Sequence, residues 1–331
     1  MEKSLVNTPG VIAIMQYDDG RTLEYRMGVE DIHFNTPINS NSIFDIASVS
    51  KQFTAFCVLL LEERGLLKLN SLLAEYIPEA AIFNNDITIE NLIYHTSGLP
   101  CLFDIAESKE IDYFSDFKKT DIIKGIFEKE HLSFIPGTKH EYSNTGYILL
   151  SQLIENVSGT SFADFVKREI FDPLEMKNSF VYNGLMQSEL AVSGYQKKQD
   201  DFFSPVYSPW DVIGAGLIHS SANDLMKWGL NFSSASVGGD ELIQKMLTPL
   251  PGFTDEGIMI EDHNPYCFGI ELEEGALGRL YYHLGSTFGR ESYFIRSQCQ
   301  GFTLAVLSNI EDYDVSSVAL KLYNQMNLKD I

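Results

Sequence analysis

The chain has 331 residues, 44% hydrophobic and 21% charged, with a formal net charge of −22. Its length and apolar content suffice for a large core. The acidic balance excludes nucleic acid and anionic membrane surfaces as partners, because their phosphates would be repelled. Cys57, Cys101, Cys267 and Cys299 are too scattered for a zinc site, and no apolar run reaches membrane-spanning length. The opening MEKSLVNTPG lacks the basic region and apolar core of a signal peptide. The sequence as given is therefore expected to be cytoplasmic, or exported if a leader has been trimmed.

In chain order, Val11 to Tyr17 is strand-like, Asp19-Gly20 is a hairpin signal, and Leu23 to Met27 returns as a second strand. Ser48-Val49-Ser50-Lys51 then heads a long apolar helix ending near Gly65. Helical patterns follow over Ile89 to Tyr94, Asp121 to Lys129, Tyr147 to Val157 and Phe162 to Ile170, punctuated by prolines. Towards the C-terminus Leu280 to Leu284, Ser292 to Arg296 and Phe302 to Leu307 read as strands, and Asp314 to Met326 as an amphipathic helix. Strands at both ends with helices between predict an α/β (α+β) fold. It has one antiparallel sheet built from both termini (about 10–46 plus 265–331) and a mainly helical insertion (about 47–264), together a single domain over 1–331.

Three short motifs carry chemistry. Ser48 and Lys51 are three apart and share a helix face; the apolar run behind them desolvates the lysine, lowers its pKa and makes a neutral amine available to the serine. Tyr142-Ser143-Asn144 follows a Pro-Gly-Thr loop. A tyrosine there can act as general base if cations lower its pKa, and Asn144, two residues on along an extended segment, can reach Lys51 and a substrate amide. His283 and Gly285 alternate onto one face of a strand. The glycine would let substrate backbone approach, and the amides of Ser286 and Ser48 would form a two-donor oxyanion hole. Taken singly, each motif also fits a structural role: an N-cap serine with a snorkelling lysine, a core tyrosine, a sheet-edge histidine. A second Ser-x-x-Lys, Ser115 to Lys118, lies in a charged stretch and reads as a solvated face. Ser221-Ala222-Asn223 reads as a helix N-cap.

The order Ser-x-x-Lys, Tyr-x-Asn, His-x-Gly resembles the serine β-lactamase and penicillin-binding-protein superfamily, and more closely its class C β-lactamase-like branch with D-alanyl-D-alanine carboxypeptidases, D-aminopeptidases and esterases. His95-Thr96-Ser97-Gly98-Leu99, Pro136-Gly137-Thr138, Gly214-Ala215-Gly216-Leu217 and Asp172-Pro173-Leu174-Glu175-Met176 extend the likeness over nearly the whole chain, Glu175 replacing a glycine. The resemblance implies a β-lactamase/transpeptidase-like fold, no metal and no cofactor. It implies Ser48 as acylated nucleophile, Lys51 and Tyr142 in proton transfer, and Asn144, His283, Gly285 and Ser286 around the substrate. His95 and Ser97 are implied to be structural.

His283-Leu284-Gly285 stands where β-lactamases usually carry Lys-Thr-Gly. A histidine is only fractionally charged near pH 7, so a penicillin carboxylate loses a charge-assisted bond of about 1.5–3 kcal/mol, for which Arg290 would be a replacement. The expectation is a serine hydrolase acting through an acyl-enzyme on amides or esters, above all small D-amino-acid peptides. The alternative is a penicillin-recognising or regulatory protein with little turnover. The partner is a small molecule or short peptide, with oligomeric state open. Loops around 101–120, 196–213 and 253–266 would set specificity.

Overall fold

Val11–Tyr17 is apolar at successive rather than alternate positions because both faces of this strand are covered. Ile12 and Ile14 point into the main core, while Val11, Ala13 and Met15 meet the C-terminal helix. The computed structural model describes residues 7–84, 86–112, 114–129, 131–182, 190–198, 202–207, 209–250, 265–275 and 278–327. Its six-stranded sheet runs in the order Glu271–Gly275, Gly278–Thr287, Arg290–Ser297, Phe302–Ser308, Val11–Tyr17, Thr22–Met27, antiparallel at every pairing. Both termini thus supply one sheet, as predicted. The hairpin after Val11–Tyr17 turns at Gly20, whose φ of +91° suits a residue without Cβ. The helix Val315–Asn327 closes one face with Val315, Ala319, Leu322 and Met326, spaced to form a single stripe.

The opposite face carries the helical region. The helix Ser50–Glu63 is buried all round from Ser50 to Leu61, so its polar side chains need internal partners. Ser50 Oγ accepts the Ile218 amide hydrogen (3.2 Å), Thr54 Oγ1 donates to Gly214 O (2.7 Å), and Trp228 Nε1 donates to Gln52 Oε1 (3.0 Å). These bonds dock residues 214–218 and the helix Ala222–Ser234 onto it. That second helix starts at an N-cap, Ser221, whose hydroxyl accepts from Asp224 N (3.2 Å), as the sequence indicated.

Three differences from the predicted elements have physical causes. Ile43–Asp45, Ile218–Ser221 and Phe180–Val181 form a small extra sheet, too short for periodicity to reveal. Phe162–Val166 gives way to a π-helical turn at Lys167–Phe171. The helix expected from Tyr147 begins at Asn144, because the Ser143 hydroxyl caps it by accepting from Gly146 N (3.4 Å). Asn144 is therefore the first helical residue, not part of an extended segment. Among the described residues no helix is long and apolar enough to cross a membrane.

Candidate active site

Ser48 lies in the 3-10 turn Ala47–Val49 leading into the buried helix. Ala47 has a φ of +47°, a left-handed conformation costly for a residue with a Cβ. Asp45 holds it there, its Oδ1 accepting the Ala47 amide hydrogen (2.9 Å). One helical turn on, Lys51 is fully buried. Its Nζ lies 3.0 Å from Ser48 Oγ, 2.8 Å from Asn144 Oδ1 and 2.8 Å from Ala215 O.

Two charge states of Lys51 satisfy that geometry. An ammonium would donate to all three oxygens; a neutral amine would donate to Asn144 and Ala215 and accept the Ser48 hydroxyl proton. The ring faces of Tyr142 (4.8 Å) and Tyr147 (5.7 Å) favour the cation, by about 0.5–2 kcal/mol each. Burial without a carboxylate opposes it by several kcal/mol. Burial is the larger effect: it moves the amine well below its ordinary value, towards the neutral form that would present a lone pair to Ser48.

Tyr142 lies close enough to Ser48 for that side chain to pull its phenol downward. Its ring is 39% exposed, but the hydroxyl end is enclosed. That enclosure raises the phenol well above its ordinary value against the opposing pull of Ser48, with Glu271 adding to the rise. The cation-lowered tyrosine of the sequence reading is thus corrected: Tyr142 is a neutral phenol.

Around it lies an aromatic group that the motifs did not announce. His95 packs on Tyr142 (4.4 Å between centroids), Tyr147 (5.1 Å) and Tyr266 (4.5 Å). His95 Nδ1 accepts the Ser143 amide hydrogen (3.0 Å), which fixes the Tyr142-Ser143-Asn144 segment from behind. The His-Thr-Ser-Gly-Leu segment was its only signal. Burial, reinforced by neighbouring His140 and Lys51, keeps His95 neutral.

His283 and Gly285 do share a buried face of Gly278–Thr287, but the ring does not turn to a substrate. Nδ1–H donates to Leu284 O (2.5 Å), and the Tyr266 hydroxyl lies 3.2 Å from Nε2. Burial and the nearby Lys51 push His283 down to about 3, so it is uncharged near neutral pH. Its expected role as a fractionally charged substrate contact is corrected accordingly. Gly285 serves a close approach of the protein's own backbone: a Cβ there would sit 2.6 Å from Ile46 O, 2.3 Å from Ser292 Oγ and 3.0 Å from Ser48 N. The strand and the Ser48 turn are therefore in contact, and Ser286, next along, lines the same cavity as Ser48 and Asn144. The Ser286 hydroxyl donates to Glu291 Oε1 (2.9 Å).

That cavity, about 100 Å³, has an apolar wall of Leu102, Phe103, Trp210, Val212 and Phe288. Two of the loops named for specificity contribute to it; residues 253–264 of the third lie outside the described residues. Arg290 is not in it. The arginine is buried, donates from Nη1 to Phe288 O (3.1 Å) and from Nη2 to Val192 O (2.8 Å), and lines a separate cavity. Its expected place as a replacement for the missing lysine is corrected. Ser115 and Lys118, the second Ser-x-x-Lys, are exposed and do not line this cavity.

Comparison with known proteins agrees with this architecture. The Beta-lactamase family model matches residues 1–324. Penicillin-binding protein 4* of Bacillus subtilis (strain 168) is 30% identical over 308 residues, covering 87% of this chain and 65% of the relative. Protein flp of Staphylococcus aureus (strain MW2) is 25% identical over 324 residues, covering 96% and 63%. The chain thus spans just under two thirds of the length of these relatives. Among solved structures, the octameric penicillin-binding protein homologue from Pyrococcus abyssi superposes with a TM-score of 0.81 at 26% identity, covering 97% of this chain and 74% of that one. The D-amino acid amidase from Ochrobactrum anthropi SV3 shares the fold, with a TM-score of 0.80 at 22% identity and coverage of 99% and 97%. With its predicted fold matched along nearly its whole length, the chain belongs to the beta-lactamase family, with a β-lactamase and penicillin-binding-protein fold.

Proposed function

We propose that this protein hydrolyses small amides or esters of D-amino acids, including D-alanyl peptides, through an acyl-enzyme on Ser48. The contact that carries the reading is the 3.0 Å approach of a fully buried Lys51 amine to Ser48 Oγ. Ser48 Oγ attacks the substrate carbonyl as its proton passes to the Lys51 lone pair. The amides of Ser48 and Ser286 bind the oxyanion. Tyr142, a neutral phenol beside Ser48, protonates the leaving nitrogen or oxygen as the scissile bond breaks, and Lys51 returns the proton to the phenol. Water then cleaves the ester, giving a carboxylic acid and free Ser48. Asn144 holds Lys51 in line through its Oδ1 (2.8 Å). The apolar wall suits a hydrophobic side chain on the acyl group. The name of the structurally similar D-amino acid amidase accords with this substrate class.

The test is intact-mass spectrometry after exposure to a fluorophosphonate, with turnover of a p-nitrophenyl ester, a D-alanyl dipeptide, a D-amino-acid anilide and a cephalosporin by wild type and Ser48→Ala. One adduct on Ser48 and turnover lost in the variant are expected. Labelling elsewhere overturns the reading. A stable Ser48 adduct without turnover of any substrate would instead assign a recognition protein.

A further inference from the structure

A second cavity of about 110 Å³ abuts the first and shares Asp45 and Leu217 with it. It is large against the roughly 10–15 Å³ needed to seat one water. Tyr182, Ser193, Tyr207, His219 and Arg290 complete its polar lining. The elements that build it are fixed: Asp45 pairs with His219 across the small sheet, and the His219 ring stacks on Phe180 (5.0 Å, 6° between planes). His219 Nδ1–H donates to Leu217 O (3.3 Å). Burial holds this histidine below its ordinary value, so it adds no charge near neutral pH.

The cavity's charges are unusual. Arg290 is 8% exposed, and its hydrogen bonds go to two neutral carbonyls. Its Nε has no partner, and it forms no ion pair with any described residue. A guanidinium offers five N–H donors, so one hydrogen on each terminal nitrogen is also left over. Gly194 leaves the space: a Cβ there would sit 2.8 Å from Nη1 and 3.0 Å from the guanidinium carbon. Asp45 is 3% exposed, and only its Oδ1 is engaged, by the Ala47 amide. A buried cation and a buried anion therefore face one space without touching. Each is costly while unpaired, and a ligand carrying the opposite charges at its two ends satisfies both.

We propose that this cavity binds a small zwitterion, an α-amino acid of the size of glycine or alanine, with its carboxylate on the Arg290 terminal nitrogens and its ammonium directed at Asp45. The guanidinium fork matches a carboxylate in two parallel bonds. A simple anion would meet Asp45 unscreened, and a simple amine would meet Arg290. Leu217 stands between this ligand and Ser48. It holds a φ of +66°, a conformation rare for a bulky residue, so the wall between the cavities is a fixed and strained one.

Isothermal titration calorimetry on Ser48→Ala protein separates this proposal from the hydrolytic reading, since no acyl-enzyme can form. Glycine or alanine is expected to saturate one site, with acetate and methylamine at least about tenfold weaker. Asp45→Asn, which keeps an acceptor for the Ala47 amide, is expected to reduce alanine to the level of acetate. Arg290→Gln is expected to abolish binding of both. Should circular dichroism show that variant unfolded, Arg290→Lys keeps the charge without the fork and is expected to weaken alanine about tenfold. Three results would overturn the assignment: no saturable binding of any amino acid, acetate binding as tightly as alanine, or alanine binding unchanged by Asp45→Asn.

Discussion

Gly285→Ala tests whether the strand positions the nucleophile. The added methyl would lie 2.3 Å from Ser292 Oγ, 2.6 Å from Ile46 O and 3.0 Å from Ser48 N. The Ser292 hydroxyl can turn aside at the loss of its bond to Ile46 O (2.8 Å), about 1 kcal/mol. The Ile46 carbonyl cannot, because it is backbone and also accepts from Val49 N (3.1 Å). Restoring an ordinary 3.4 Å contact there requires strand and turn to part by about 0.8 Å. Overpacking of this kind costs about 1–3 kcal/mol. A displacement near 1 Å at a reacting group costs on the order of 10²-fold in rate. Urea denaturation should therefore register a modest loss, while the fluorophosphonate labelling rate of Ser48 falls far more. Gly275→Ala is the control, since nothing lies within 4 Å of its added Cβ. Wild-type labelling in Gly285→Ala would refute the claim that this contact sets the position of Ser48.

Lys51→Met should lower kcat/KM by about 10²–10⁴. Because burial depresses the lysine in the folded state, the unfolded chain binds the extra proton between that lowered value and 10.5. Wild-type stability should thus rise with pH through that window, and urea titrations at pH 7 and 9 should show the rise vanish in the variant. Since His283 is pushed down to about 3, KM for acidic substrates should stay flat between pH 5 and 8. A rise through that range would show that the imidazole is charged after all. Glu291, raised to about 7 by burial, has the opposite sign. The folded state holds its proton above the ordinary 4.5, so stability falls as pH climbs from there to about 7. Glu291→Gln should flatten that fall in thermal melts across the range.

The sheet was legible because its strands are long and their apolar residues either alternate or run continuously, as in Val11–Tyr17 and Phe302–Ser308. Ser48 and Lys51 were legible as a pair because one helix turn sets their spacing whatever surrounds them. What could not be read depends on partners distant in sequence. The charge state of His283 is set chiefly by burial beneath elements from outside its strand, Tyr266 among its contacts. The direction of Arg290 is set by Val192 and by the space at Gly194, about a hundred positions earlier. The Tyr142 phenol could not be read either, because the burial that raises it comes from the assembled fold. Asn144 was placed one structural class away, in a strand-like segment, because a single capping hydroxyl decides where its helix begins.

Burial bears on the chemistry as well. Lys51, His95 and His283 are each driven below their ordinary values by burial, and Tyr142 above its own. In each the shift favours the uncharged form. Among the described residues lining the cavity at Ser48 the one charged side chain is Asp45, an anion, and the chain as a whole carries −22. A substrate carboxylate would therefore enter this cavity without a cationic partner, forgoing the about 1.5–3 kcal/mol of a charge-assisted bond and facing repulsion besides. A neutral ester or amide suffers neither loss. The same burial that disfavours a charge on Lys51 would free its amine to act as the base in the mechanism proposed for Ser48, so that proposed activation and the disfavour for anionic substrates have one physical origin.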